Sequence, residues 1–172
     1  TYIQKANDVV SLKPIQNDIV GIATTRANAQ LVREIFGDAA HDSVIIDYSK
    51  KISTSKAIVI GAGWLPGCST DKDTVLLAEK YGAETVVNLT NVDYVYDKDP
   101  RKCTDARPLH TLTWKQFKDL VGGDWRAGMN LPFDPVASQL AIEKKLRVVI
   151  LNGKNLENLT AFLEGKKFVG TI

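Results

Sequence analysis

The chain has 172 residues, enough for one domain with a substantial core. Its 44% hydrophobic and 24% charged content is ordinary for a globular protein in water, and a net charge of +2 gives neither a nucleic-acid footprint nor an acidic tail. No apolar run approaches the ~20 residues that a membrane-crossing helix needs, and no signal-peptide pattern heads the chain. The two cysteines, Cys68 and Cys103, fall in different loops without metal-ligand spacing. They are expected as free thiols in a reducing, cytoplasmic compartment.

Taken in order, the chain starts at Thr1 inside an expected helix, Tyr2–Val10, which ends before the turn at Lys13-Pro14. A long helix follows from about Asp18 to Phe36, with Asn17 as its expected cap and Gly37 as its stop. Ile19, Ile22, Ala23, Leu31, Val32, Ile35 and Phe36 give it an apolar stripe at helical spacing, interspersed with small residues that permit close packing. Val44–Asp47 is expected as a short strand, and 50–56 as a basic connection. An apolar strand, Ala57–Gly61, then runs into a Gly/Pro loop. The loop opens a helix beginning near Asp71 and stopped by Gly82, and a second strand, Thr85–Leu89, empties into a polar, Asp-rich loop. The segment 101–112 is expected as an exposed loop, and Thr113 as the cap of a helix through Val121 that Gly122-Gly123 end. Asp134-Pro135 is a strong helix start, with the helix reaching about Lys145. A buried strand at Arg147–Leu151, a helix from Asn155 to Gly165 and a last strand at Phe168–Thr171 complete the pattern. Alternating strands and helices predict a single α/β domain over residues 1–172, built on a mainly parallel sheet covered on both faces.

The two loops that follow the strands carry the candidate chemistry, because open α/β sheets place ligands beyond the carboxyl ends of their strands. In GAGWLPGCSTD, residues 61–71, three glycines allow close backbone approach, and Ser69 or Thr70 can cap the next helix while donating to a phosphate. Asp71 at the helix start either only complements the helix dipole or organises reacting groups beside an anion; spacing alone divides the two evenly. In NLTNVDYVYDKDP, residues 88–100, Thr90 follows a strand end, Tyr96 offers a ring for stacking on a base, and Asp99 can accept from a ribose or an amino group. Asp93, Asp97 and Asp99 are equally ordinary turn formers. The loop lacks the glycine and terminal glutamate of a calcium-binding helix–loop–helix, and no metal-ligand set is expected.

Together, GAGWLPGCSTD and NLTNVDYVYDKDP resemble the amino acid kinase family, and within it the uridylate (UMP) kinases of the archaeal type. The similarity continues through RAGMNLPFDPVASQLA, RVVILNGKN and EGKKFVGTI, nearly the whole chain. The resemblance implies a three-layer αβα sandwich that transfers the γ-phosphoryl group of ATP to UMP. Mg²⁺ would be held mainly through the nucleotide phosphates. It places Trp64, Leu65, Pro66, Gly67, Cys68, Ser69 and Thr70 around the phosphate and ribose of UMP, largely through backbone amides. Asp18 would bond the nucleoside part, Asp71 would organise the reacting groups, and Thr90, Tyr96 and Asp99 would contact ATP. The RAGMN segment would lie near the ATP base. A homo-oligomer, a hexamer by resemblance, is the implied assembly.

The sequence departs from the family pattern in one respect. The first-strand lysine with its glycine turn and the triple-glycine acceptor loop do not occur in it, so the domain is expected to lack its first strands at the N-terminus. Lys72, Lys98 and Arg101 are the candidate substitute cations, since phosphoryl transfer depends on stabilising spread negative charge. Two alternatives follow. One keeps the fold with another acceptor, an amino acid or an isoprenoid phosphate, although the only histidines, His41 and His110, lie in polar loops. The other is a non-catalytic nucleotide-binding or assembly module.

Overall fold

The computed structural model describes residues 1–100, 102–121 and 132–172. The expectations for Arg101, for the Gly122-Gly123 helix end and for the RAGMN segment lie outside the described residues. Two compact units divide the chain, Thr1–Gly82 and Ala83–Ile172.

The first unit opens with helix α1, Tyr2–Val9, capped by the Thr1 side chain, which accepts from the Gln4 N–H. Helix α2 spans Pro14–Phe36 and begins four residues earlier than the sequence predicts. Proline at the first helical position has its φ preset and its missing N–H costs nothing there. The Gln16 side chain accepts from the Lys13 N–H at 2.8 Å, closing the entry. Asn17 is therefore inside the helix, and its side-chain oxygen accepts from Asn7 Nδ2 at 2.8 Å, tying α2 to α1. Gly37, at φ +51°, ends the helix as expected.

No continuous strand forms at 44–47 or 57–61 among the described residues. Instead, two isolated parallel bridges join these stretches, Ala40 to Ile58 and Ile45 to Gly61. Four residues separate the bridged positions on one side and two on the other, so an even ladder cannot run between them. Ala40 and Ile45 are buried, and this pairing delivers the chain to Ala62 and Gly63 at the carboxyl end. Helix α3, Thr70–Tyr81, starts at the Ser69 cap, whose hydroxyl accepts from the Lys72 N–H at 3.1 Å, and stops at Gly82 in the left-handed region. Val75 and Ala78 form its buried face.

The second unit is built on strands β1, Thr85–Thr90, and β4, Arg147–Asn152, which pair in parallel from Thr85–Arg147 through Thr90–Asn152. Val86, Val149, Ile150 and Leu151 are buried, as near-continuous apolar strands covered on both sides should be. Strands β2, Val95–Tyr96, and β3, Pro108–Leu109, form a small antiparallel pair. The stretch 101–112 is thus not wholly a loop. Helices α4, Trp114–Val121, α5, Pro135–Glu143, and α6, Leu156–Leu163, follow the predicted starts, with Asp134 and Asn155 capping α5 and α6. The expected last strand reduces to one antiparallel bridge, Thr171 to Ile150. Just before it, Asn158 substitutes for a strand neighbour: its amide donates to the Val169 carbonyl and accepts from the Val169 N–H, each at 2.7 Å. Among the described residues no helix is long and apolar enough to cross a membrane.

Candidate active site

The loop between Gly61 and α3 is held almost entirely by side chains from elsewhere in the first unit. Tyr48, buried, donates its hydroxyl to the Ala62 carbonyl at 2.6 Å. Thr25 Oγ1 accepts from the Gly63 N–H at 3.0 Å. Arg26 donates Nε to the Gly63 carbonyl and Nη2 to the Trp64 carbonyl, both at 3.1 Å. Asp73 Oδ2 accepts from the Trp64 N–H at 3.1 Å. At the apex, Asp18 Oδ2 accepts from the Gly67 N–H at 2.8 Å. Asp18, Thr25 and Arg26 stand seven and eight residues apart, which puts them on one face of α2.

The glycines are spent on these contacts. A Cβ on Gly61 would lie 2.6 Å from the Tyr48 hydroxyl, and one on Gly63 2.7 Å from Thr25 Oγ1. Gly67 has φ +81°, a conformation that other residues adopt only with strain. The N–H groups of Gly63, Trp64 and Gly67 are thus committed to protein acceptors, and that of Cys68 closes a turn on the Leu65 carbonyl at 3.1 Å. What the loop offers an incoming anion is the start of α3: the Thr70 side chain, exposed, and the positive end of the helix dipole.

Behind the loop lies a cavity of about 180 Å³, lined by residues that include Asp18, Thr25, Gly63, Cys68, Thr70 and Asp73. Five of the sequence-predicted acceptor residues sit on this loop without lining the cavity: Trp64, half-buried with its ring edge-on to Tyr48 at 5.9 Å, exposed Leu65, Pro66 and Gly67, and the cap Ser69. Asp71 occupies the first turn of α3, half-buried. Asp73 is only 4% exposed, and its Oδ1 has no hydrogen-bond partner among the described residues. Burial pushes its carboxyl above the ordinary range, against the Trp64 N–H and Lys72, which pull it down. The Tyr48 phenol is pushed up to about 12, by burial first and by the Asp73 charge second.

Thr90, Tyr96 and Asp99 belong to the second unit. The Thr90 hydroxyl bonds Val92 twice, accepting from its N–H and donating to its carbonyl at 3.1 Å. Tyr96 lies on β2, its ring edge-on to Tyr94 at 6.3 Å. The exposed Asp99 starts a turn in which its carbonyl accepts from the N–H groups of Lys102 and Cys103. Asp93 accepts from Asn152 Nδ2 at 2.9 Å and Asp97 from the Arg107 N–H at 2.8 Å, so both tie the loop to residues outside it. Of the candidate substitute cations, Lys98 is paired to Asp105 at 2.6 Å, and Lys72 sits in the first turn of α3.

Known proteins share this fold. The profile of the amino acid kinase family matches residues 4–152. The chain belongs to that family. It is 39% identical to a uridylate kinase from Methanobrevibacter smithii over 160 residues, covering 91% of this chain and 70% of the relative. It is 34% identical to a uridylate kinase from Sulfolobus acidocaldarius, covering 90% and 70%. The crystal structure of uridylate kinase from Archaeoglobus fulgidus superposes with a TM-score of 0.81 at 29% identity, over 99% of this chain and 76% of that one. A UMP kinase structure from Ureaplasma parvum, at 18% identity and a TM-score of 0.75, agrees in fold. The fold is therefore the αβα amino acid kinase architecture with a mainly parallel sheet, and within the family the chain groups with the uridylate kinases.

Thr25, Arg26, Tyr48 and Asp73 are the side chains that sequence reasoning missed. The first two lie seven and eight positions after Asp18 on the same helical face, a spacing that by itself does not tell a support from a solvated side chain.

Proposed function

We propose that this protein is a UMP kinase, transferring the γ-phosphoryl group of ATP to UMP to give UDP and ADP, a step in pyrimidine nucleotide supply. The observation that carries the reading is the 39% identity to a uridylate kinase across 91% of the chain. The cavity behind the GWLPGCSTD loop, with Asp18 in its lining, supports it. In this reading one UMP phosphate oxygen attacks the γ-phosphorus in line, the new P–O bond forms, and the bond to the bridging oxygen breaks as ADP leaves. A phosphate monoester is already nucleophilic at neutral pH, so no strong general base is required.

The chain's own residues supply placement. Trp64–Thr70 shape the acceptor pocket, with the Thr70 hydroxyl and the α3 N-terminus facing the acceptor phosphate. Asp18 already spends one oxygen on Gly67 and offers the other to the nucleoside. Asp71, in the first turn of α3, organises the reacting groups. Thr90, Tyr96 and Asp99 take the donor nucleotide. Mg²⁺ would be carried mainly on the nucleotide phosphates. Mg²⁺ bound there supplies charge neutralisation. The single-domain organisation over 1–172, a cytoplasmic location and a homo-oligomeric, hexameric state belong to the same proposal. Ile19, Leu31, Val32, Ile35 and Phe36 project from α2 with 40–72% of their surface exposed, which supports packing against another copy.

The test is a coupled assay of ADP release with ATP and a panel of acceptors. UMP is expected as the preferred acceptor, and Asp71→Asn should lower kcat by about 100-fold or more while leaving the melting temperature unchanged. Turnover of an isoprenoid phosphate or an amino acid with none of UMP overturns the substrate.

A further inference from the structure

The Trp64 peptide is gripped from opposite sides by two side chains that the nucleotide chemistry leaves unassigned. Arg26 takes the carbonyls of Gly63 and Trp64 with a fork of two N–H donors, a geometry a guanidinium supplies and an ammonium does not. Among the described residues no carboxylate lies within ion-pair distance of Arg26. Asp73 takes the Trp64 N–H with one oxygen. Its other oxygen is buried, has no hydrogen-bond partner among the described residues, and belongs to a side chain that lines the cavity behind the loop. A buried carboxylate with half its hydrogen-bonding capacity unused is costly. Asp71, half-buried in the same first turn, already complements the helix dipole.

We propose that Arg26 and Asp73 are positioning residues for the acceptor nucleotide: they fix the Gly63–Trp64 backbone so that the loop meets UMP already in its binding conformation. This rests on the acceptor assignment made above. Neither residue needs to touch UMP. Without them the loop keeps its Asp18 pin at the apex and its Thr25 bond at Gly63, but the Trp64 peptide is free to rotate. The ordering of that peptide is then charged against UMP affinity. Affinity for ATP, whose contacts lie in the second unit, is unaffected.

The experiment uses the full chain in two arms: calorimetric titration with UMP and with ATP, and amide hydrogen exchange read at Gly63, Trp64 and Gly67. Asp73→Ala and Arg26→Ala should each weaken UMP binding about tenfold, leave ATP binding within about twofold, and lower protection at Trp64 more than at Gly67. Asp73→Asn keeps a carbonyl oxygen for the Trp64 N–H and removes the buried charge, so UMP affinity should return to within about threefold of the parent. The proposal is overturned if Trp64 protection does not change in the alanine variants, or if it falls while UMP affinity holds. Parallel loss of UMP and ATP binding with a lower melting temperature likewise overturns it, since that is general destabilisation. If the unsubstituted protein binds no UMP, the acceptor assignment fails and the positioning role toward UMP fails with it. The exchange arm then still reports whether Arg26 and Asp73 hold the loop.

Discussion

The two strand-end loops solve the same problem by opposite means. The loop at 61–69 in the first unit contains three glycines and a proline and few polar side chains of its own. Five residues from outside it, Asp18, Thr25, Arg26, Tyr48 and Asp73, satisfy its backbone. The loop after β1 in the second unit is rich in Thr, Asn and Asp and makes its bonds with its own side chains: Thr90 bonds Val92 locally, while Asp93 accepts from Asn152 and Asp97 from the Arg107 N–H. It also rests on six paired positions of β1 and β4. A bare loop depends on side chains sent in from elsewhere; a polar loop reaches its distant partners with side chains of its own.

This contrast is most severely tested at two glycines, one in each unit. A Cβ on Gly170 would lie 2.7 Å from the Ile150 carbonyl oxygen and 2.7 Å from the Phe168 ring. The carbonyl is fixed in β4, where it accepts from the Thr171 N–H at 2.9 Å. Gly170→Ala should therefore cost about 3 kcal/mol, read as a lower urea midpoint. Gly63→Ala meets a side chain, Thr25 Oγ1, which can rotate away, so about 1–2 kcal/mol is expected. Adding Thr25→Ala should recover part of that loss, with a coupling above about 0.5 kcal/mol in a double-mutant cycle. Absence of coupling would mean that Gly63 is not constrained by α2.

Tyr48→Phe removes one hydroxyl bond to Ala62 and should cost about 1 kcal/mol. The smallest effect is electrostatic. The Asp73 carboxyl titrates above its ordinary value of 3.8, so the folded state holds its proton more tightly than the unfolded chain does. Stability from this group is fully present below that ordinary value and is lost as pH rises through the folded one. Asp73→Asn should then gain stability relative to the parent at neutral pH, and the gain should shrink toward pH ~4. Urea midpoints at the two pH values measure it; a gain that does not change with pH would place the effect in packing rather than in charge.

Much of the fold was legible in the sequence because its local signals agree. Ser69, Asp134 and Asn155 cap the helices expected of them, and Gly37 and Gly82 stop theirs. The β4 strand reads as an apolar run because Val149, Ile150 and Leu151 are buried. The start of α2 was misplaced because Asn17 is a good capping residue, whereas Pro14 and Gln16 together begin the helix earlier. The stretches 44–47 and 57–61 read as strands, yet the two extra residues between their bridges interrupt the ladder, and residue propensity does not encode register. At the site, the loop and Asp18 could be picked out, but its supports could not. Thr25 and Arg26 look like the solvated face of a long helix, and Tyr48 and Asp73 acquire meaning only through contacts distant in sequence.

The α2 face also sets a length. From Asp18 to Thr25 the helix advances about 10 Å, and the loop must cover that interval in the four residues from Gly63 to Gly67, whose N–H groups meet those two side chains. Four residues reach at most ~14 Å and three only ~10–11 Å. The helix thus works as a ruler for the loop. Exchanges at Leu65 or Pro66 leave the count intact, whereas deleting either residue would leave no slack for a turn and would force one of the two anchors to let go.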